Sequence, residues 1–310
     1  MNEMILHHYP TSPFAEKVRL VLGMKQLAWR SVHIPVMMPK PDVVALTGGY
    51  RRTPFLQIGA DIYCDTALVC RVVDRLHPEP SLYPEEAGAL AHIVAAWADS
   101  ALFWVAVPLT MQIGGPNGIL PDATPEFLKA FAADRAAMSV GMKRGGLHDN
   151  LAMLTQHLQW LEQQLADGRP FVLGSLASVA DFAIFHPLWF MHLTAKASAL
   201  LQRFAKLLAW YGRMTAFGHG SSTALSSTEA LGVAAAAPAR AHCSVQPNPT
   251  FEAGAAVTVN ALDYASDLIA GRLVGLDQDE VVIERSDERA GTVQVHFPRI
   301  GFQLKVDKTA

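Results

Sequence analysis

The sequence predicts three units of different class: an α/β N-terminal domain over residues 1–82, an all-helical second domain over 83–238 and a small all-β C-terminal module over 251–310. A linker at 239–250 joins the last two. Three observations predict this. Up to about residue 76, short apolar runs alternate with stretches of helical period. From Pro84 to about Phe217 no strand pattern survives. From residue 251 the pattern switches to strict alternation broken by glycines.

Met4 to Tyr9 is a short buried strand, turned by Pro10–Thr11. Ser12–Pro13 then opens a helix, with serine at the N-cap and proline at the first helical position, where a missing N–H costs nothing. Phe14, Val18, Val21 and Leu22 share one face of it. WRSVHI (29–34) alternates as a strand, and PVMMPKP (35–41) is a proline-punctuated loop. Phe55 to Ile58 and Ile62 to Cys64 flank a turn at Gly59-Ala60-Asp61 and form a hairpin, followed by a helix from Asp65 to Leu76. The expected order is β-α-β-loop-β-β-α. Pro54 stands at the entry to a strand, where proline is tolerated. The local sequence leaves the Thr53–Pro54 bond cis or trans.

Helical segments follow near 85–107, 125–140, 149–167, 178–193 and 197–217, with breaks at Pro108, 114–125, 141–146 and 167–170. Ser178 and Asp181 form a capping box, and Ser226 and Glu229 form a second that opens a short alanine-rich helix ending by Pro238. In the last 60 residues VTVNAL, GRLV, EVVIERS, TVQVHF and FQLKV read as strands of a small antiparallel barrel or sandwich.

Composition bounds the function. The chain of 310 residues is 51% hydrophobic and 17% charged, with a formal net charge of −3. Residues 251–310 carry ten acids against six bases. A nucleic-acid partner is therefore not expected, because phosphate contacts need clustered Lys and Arg. No uninterrupted apolar run approaches the roughly 20 residues of a membrane span, so no membrane partner is expected. The start Met-Asn-Glu lacks a basic n-region, so no signal peptide is expected. Cys64, Cys70 and Cys243 form no C-x-x-C pair, which fits a reducing, cytoplasmic setting. His7 and His8 are adjacent in a strand and face opposite ways, so no metal site is expected there.

Ser12-Pro13-Phe14-Ala15-Glu16-Lys17-Val18-Arg19 resembles the Cys-Pro-Phe-Ala-Glu-Arg-x-Arg stretch of omega-class glutathione S-transferases, with serine in place of that class's active-site cysteine. The zeta and theta classes place a catalytic serine at this point. Thr53-Pro54 is similar to the cis-proline of the same family, Asp65-Thr66 to its Glu-Ser or Asp-Ser pair, and Ser178 to Asp181 to its helical-domain capping box. The resemblance covers roughly residues 4–217 and says nothing of the last 60.

It implies a thioredoxin-like N-terminal domain, glutathione as co-substrate with no metal, and a homodimer. The implied activity joins the glutathione thiolate to a small hydrophobic electrophile, as in detoxification. Ser12 would donate to the thiolate at a helix N-terminus, with Tyr9 as the rival donor. Phe14 belongs to the same motif. Thr53, beside Pro54, would pair with the extended tripeptide through its backbone. Asp65 would accept from the glutathione amine and Thr66 would hold the γ-glutamyl carboxylate, although both also serve as plain caps. Lys40 would face the glycyl carboxylate, with Arg51 and Arg52 as alternatives. Phe103, Trp104, Val107 and Met111 would line the electrophile pocket, with Phe185 and Trp189 opposite; such spacing serves a core equally well. A different class of reading is a non-catalytic, transferase-like binding or regulatory protein that interacts through its C-terminal β module.

Overall fold

The computed structural model describes residues 3–237 and 244–307. Its N-terminal part runs β1 (Ile5–His8), α1 (Pro13–Met24), β2 (Ala28–His33), α2 (Pro41–Thr47), β3 (Phe55–Ile58), β4 (Asp61–Cys64) and α3 (Thr66–Leu76). Strand β1 pairs parallel with β2 and antiparallel with β3, and β3 forms the expected hairpin with β4. This is a thioredoxin-like domain. Side chains alternate between two cores. Leu6, Leu56, Ile58 and Tyr63 face the helical domain with α1 and α3. Ile5, Phe55, Ile62 and Cys64 face the opposite side. Helix α2 corrects the reading of this stretch as loop throughout. Pro41 sits at its first turn, where proline fits, and Gly48 closes it in the left-handed conformation (φ 79°).

The second domain holds α4 (Leu90–Trp97), a π turn (Ala98–Leu102), α5 (Phe103–Gly114), α6 (Pro125–Met138), α7 (Leu147–Gln164), α8 (Val179–His192), α9 (Ala195–Ala199) and α10 (Ala205–Thr215). Pro108 does not end the helix: α5 continues through it to Gly114. The whole rod, Leu90–Gly114, is long and apolar enough by length and composition to cross a membrane, although Asp99 interrupts its apolar run. Here it packs against α8 and carries an ion-paired Asp99 at its middle. The capping box at the start of α8 is built as expected. Asp181 Oδ2 accepts from Ser178 N and Oγ, while its Oδ1 accepts from Val172 N and Trp210 Nε1. The region read as one helix at 197–217 is two, α9 and α10.

Two elements inside the 83–238 span join the N-terminal domain, one in its sheet and one packed on it. The first, β5 (Ser221–Ala224), was not expected. It pairs parallel with β2, held by Ser221 N to Leu27 O at 2.9 Å and Leu225 N to Ser31 O at 3.0 Å. All four of its residues are exposed, so it carries no hydrophobic alternation to detect. The second, α11 (Ser227–Ala236), starts at the expected Ser226–Glu229 box and packs beside α2 through Ala230, Leu231 and Ala234.

The last strands are β6 (Ala256–Ala261), β7 (Ile269–Leu276), β8 (Glu280–Asp287), β9 (Gly291–Pro298) and β10 (Phe302–Val306). They are antiparallel neighbours in the order β10-β6-β7-β8-β9. The expected separate barrel or sandwich is corrected, because β9 pairs parallel with β4 and the module continues the N-terminal sheet into a single sheet of ten strands. One hydrophobic core runs through both, from Ile5 and Phe55 to Val259, Val295 and Phe297. Edge strands invite pairing, and β4 offers the edge that β9 takes. Of the expected linker, residues 239–243, including Cys243, lie outside the described residues. Val245 bridges to Leu276, so the following stretch runs along β7.

Candidate active site

The cavity between the two domains begins at the turn after β1. Ser12 N donates to Tyr9 O at 3.2 Å, and Ser12 Oγ caps α1 by accepting from Ala15 N at 3.2 Å. The same hydroxyl donates to Thr53 O at 3.4 Å, tying the helix start to the residue before β3. The Thr53–Pro54 bond is cis. Asp65 joins β4 to α3 at φ 75°, and its carboxylate caps the helix by accepting from Ala67 N at 2.9 Å. Burial raises the pKa of this carboxyl above the ordinary aspartate value. The N-termini of α1 and α3 therefore open on the same cavity, where their dipoles favour an anion.

The cavity has a volume of about 860 Å³. Ser12, Tyr9, Phe14, Thr53, Pro54, Asp65 and Thr66 line its polar end, and Phe103, Trp104, Val107 and Met111 its apolar end. Lys40 does not line it. Its Nζ lies 3.5 Å from Thr53 Oγ1 and over the Tyr9 ring, and the residue is buried. Burial, together with Arg135 and Arg51, lowers the Lys40 pKa to about 8. Arg51 and Arg52, the alternatives to Lys40, do line the cavity. Phe185 and Trp189 do not. Phe185 is a core residue stacked on Tyr211, and Trp189 lies under the Arg19 guanidinium. Phe190 lines the cavity in their place.

Behind the polar end sits a cluster that sequence reasoning missed. Lys17, with a fully buried side chain, pairs with Asp99 Oδ2 at 2.5 Å and donates to Thr66 Oγ1 at 3.4 Å. His186 Nε2 lies 2.9 Å from Asp99 Oδ1. Burial lowers the His186 pKa, so its neutral ring donates to the carboxylate. Burial opposes both charges of the ion pair, but each partner overrides it: Asp99 raises the Lys17 pKa and Lys17 lowers that of Asp99. Phe14 packs on the imidazole, with ring centroids 4.5 Å apart. The signal in the sequence was Asp99 itself, a carboxylate within the apolar stretch 94–109. Two other expectations concern histidine and cysteine. His7 bonds Gln57 and His8 bonds Ser31, on opposite faces of the sheet. Cys64 and Cys70 are buried, which pushes both thiol pKa values up, that of Cys70 to about 11. No group of three or more His, Cys, Asp or Glu side chains that could hold a metal occurs among the described residues.

The third wall comes from the C-terminal module. Leu262, Asp263, Tyr264 and Phe302 line the cavity. Arg52 pairs with the Asp263 carboxylate and the Tyr264 carbonyl, and Arg51 lies 2.6 Å from Asp134 and 3.6 Å from Asp267. The arrangement can hold a ligand with an anionic, peptide-like end at the two helix starts and an apolar group against the aromatic wall.

Comparison with known proteins agrees with this fold. The family model described as the glutathione S-transferase N-terminal domain matches residues 6–81, and that of the C-terminal domain matches 142–213. A crystal structure of a GST-like protein from Pseudomonas syringae is 39% identical, covers 99% of this chain and 100% of its own, and superposes with a TM-score of 0.80. FtsZ-localized protein A of Caulobacter vibrioides is 25% identical over 186 residues, 58% of this chain and 74% of the relative. A glutathione S-transferase from Methylobacillus flagellatus with GSH bound shares the fold at 21% identity and a TM-score of 0.53, over 71% of this chain and 100% of its own. With both domain models matched and a 39% identical GST-like relative aligned over its whole length, the chain belongs to the glutathione S-transferase family.

Proposed function

We propose that the chain binds glutathione at the polar end of this cavity and joins its thiolate to a small hydrophobic electrophile held at the apolar end. The observation that carries the reading is the convergence of Ser12, Thr53-Pro54 and Asp65-Thr66 on one cavity whose far wall is Phe103, Trp104, Val107 and Met111. A thiol ionises near pH 8.5 in water and is a poor nucleophile until it does. The start of α1 supplies positive potential there, and Ser12 Oγ, held by a long 3.4 Å bond to Thr53 O, can redirect its proton to the sulfur. Tyr9 lines the same end and is the competing donor. The γ-glutamyl end meets Asp65 and Thr66, and Arg51 and Arg52 replace Lys40 as the cations facing the cavity.

Retention on immobilised glutathione tests binding. Turnover of an electrophile panel by Ser12→Ala, Ser12→Cys and Tyr9→Phe tests the donor. Loss of activity in Ser12→Ala with Tyr9→Phe active supports Ser12, and a fully active Ser12→Ala removes it from the mechanism. A second reading, a binding or regulatory protein without turnover, is favoured by one observation. Ser12 is only 2% exposed and its hydroxyl is already committed to a cap and a carbonyl. Glutathione retention without turnover of any electrophile supports that reading.

A further inference from the structure

Helix α2 is seven residues long, too short to hold its shape alone, and its N-cap Lys40 makes no side-chain capping bond. The C-terminal module holds it at both ends. Arg285, on β8, donates from Nη1 to Ala45 O at 2.6 Å and to Val44 O at 3.3 Å. A guanidinium there satisfies a carbonyl that the helix leaves open and answers the negative end of its dipole. Gly48, which closes α2, leaves room for it: a β-carbon at that position would lie 2.7 Å from Arg285 Nε. At the other end Arg289, in the turn between β8 and β9, bonds Asp42 Oδ1 at 2.6 Å and Pro41 O at 2.8 Å.

The chain that leaves α2 becomes the cavity wall, since Tyr50, Arg51, Arg52, Thr53 and Pro54 all line it. The module takes hold here too. The Tyr50 ring meets Phe297 and Phe302 at 6.1 and 6.5 Å. Arg51 lies 3.6 Å from Asp267, and Arg52 bonds the Asp263 carboxylate and the Tyr264 carbonyl. The segment from Pro41 to Arg52 is thus tied at five residues to supports more than 200 positions away in sequence.

We propose that Arg285 and Arg289 are positioning residues for glutathione: acting from the C-terminal module through α2, they hold Thr53 and its neighbours in the conformation that pairs with the tripeptide backbone. The proposal rests on the glutathione reading above. Neither arginine lines the cavity, so neither touches a ligand held there. Without them α2 samples other placements, and glutathione binds only the fraction of molecules in which the wall is formed. The apparent dissociation constant then rises in inverse proportion to that fraction. Bound glutathione in turn favours the formed wall, so it restores order to α2.

The test compares the full chain with the double variant Arg285→Met, Arg289→Met, at a temperature well below the Tm of either. Calorimetric titration gives the dissociation constant of glutathione, and amide hydrogen exchange is followed over residues 41–54 and over α10. The expected result is exchange about tenfold faster over 41–54 with α10 unchanged, and a dissociation constant raised at least about fivefold, as when about one molecule in five has the wall formed. Saturating glutathione slows the exchange over 41–54 in the variant. A merely structural role for the arginines lowers Tm and leaves the dissociation constant of the folded protein where it was. A rise of less than fivefold, exchange over 41–54 no faster than in wild type, or equal acceleration in α10 overturns the proposal. A wild type that binds no glutathione refutes the underlying reading, and the proposal with it, whatever the exchange shows. Should the double variant not fold, Arg289→Met alone serves, because that side chain is 48% exposed. It is expected to speed exchange over 41–54 and to raise the dissociation constant at least about twofold; an unchanged constant overturns the proposal.

Discussion

Replacing Asp99 by asparagine removes the carboxylate that, among the described residues, forms the ion pair with a fully buried lysine. Lys17 has a side-chain exposure of 0% and lies 2.5 Å from Asp99 Oδ2, and its other polar contact is Thr66 Oγ1 at 3.4 Å. In Asp99→Asn the ammonium keeps a hydroxyl and an amide oxygen but loses its ion-pair partner, with Asp65 left as a more distant carboxylate. Breaking a buried pair from one side costs about 3–5 kcal/mol, because the remaining charge is left uncompensated. At about 2–4 °C per kcal/mol this is a fall in Tm of roughly 10 °C. Lys17→Met should cost less, since Asp99 is 21% exposed and keeps the His186 N–H at 2.9 Å. The double variant should be more stable than Asp99→Asn alone, with a coupling of at least about 1.5 kcal/mol in a double-mutant cycle. Urea unfolding of the four proteins measures it. Additive effects, or an Asp99→Asn within about 1 kcal/mol of wild type, refute the argument that burial makes this pair obligatory.

Other outcomes follow from the same structure. Lys40 is 3% exposed and titrates near 8 when folded against 10.5 when free. The folded state therefore bears the charge unfavourably, and Lys40→Met should stabilise by up to about 3 kcal/mol at pH 7. That gain should shrink as pH rises from 8 and vanish above 10.5, read by urea unfolding at pH 7 and pH 11. At the β4–β9 seam, His296 Nδ1 bonds Glu280 and Nε2 lies 3.3 Å from Asp61 Oδ1. Burial opposes the charge, but the two carboxylates raise the imidazole pKa above 6.5. Its contribution is full below pH 6.5 and is lost as pH rises through the raised value. Wild type should thus exceed His296→Gln by about 1.5–3 kcal/mol at pH 6 and by clearly less at pH 9, in paired thermal melts.

What the sequence revealed tracks where local signals are strong. Ser12-Pro13, Ser178–Asp181 and Ser226–Glu229 are caps whose partners lie within three residues, and each helix starts where they say. The strands of residues 251–310 show period two and form as strands. Long-range features left no such mark. The four exposed residues of β5 carry no pattern, and their place beside β2 is set by backbone pairing. Nothing in TVQVHF says that it completes the edge of β4 rather than closing a barrel, since parallel pairing between Asp61–Tyr63 and Gln294–His296 spans more than 230 residues. The same holds in the cavity. The residues at the polar end were legible because a motif carries them. Lys17, Asp99 and His186 come from three separate stretches that only the tertiary fold brings together behind the polar end, and Tyr264 comes from a fourth that forms another wall. Lys40 was misplaced because its position in a loop before a proline says nothing of which way a buried ammonium turns.

The central claim is that this cavity holds glutathione. Thermal unfolding of the full chain with and without 10 mM glutathione, at about pH 7, tests it most directly. For a dissociation constant of about 0.1 mM, binding to the folded state alone adds about 2.7 kcal/mol, a rise in Tm of roughly 5–10 °C. The rise should be smaller in Thr66→Val, which removes the hydroxyl at the α3 start. A wild-type Tm that glutathione leaves unmoved contradicts the account.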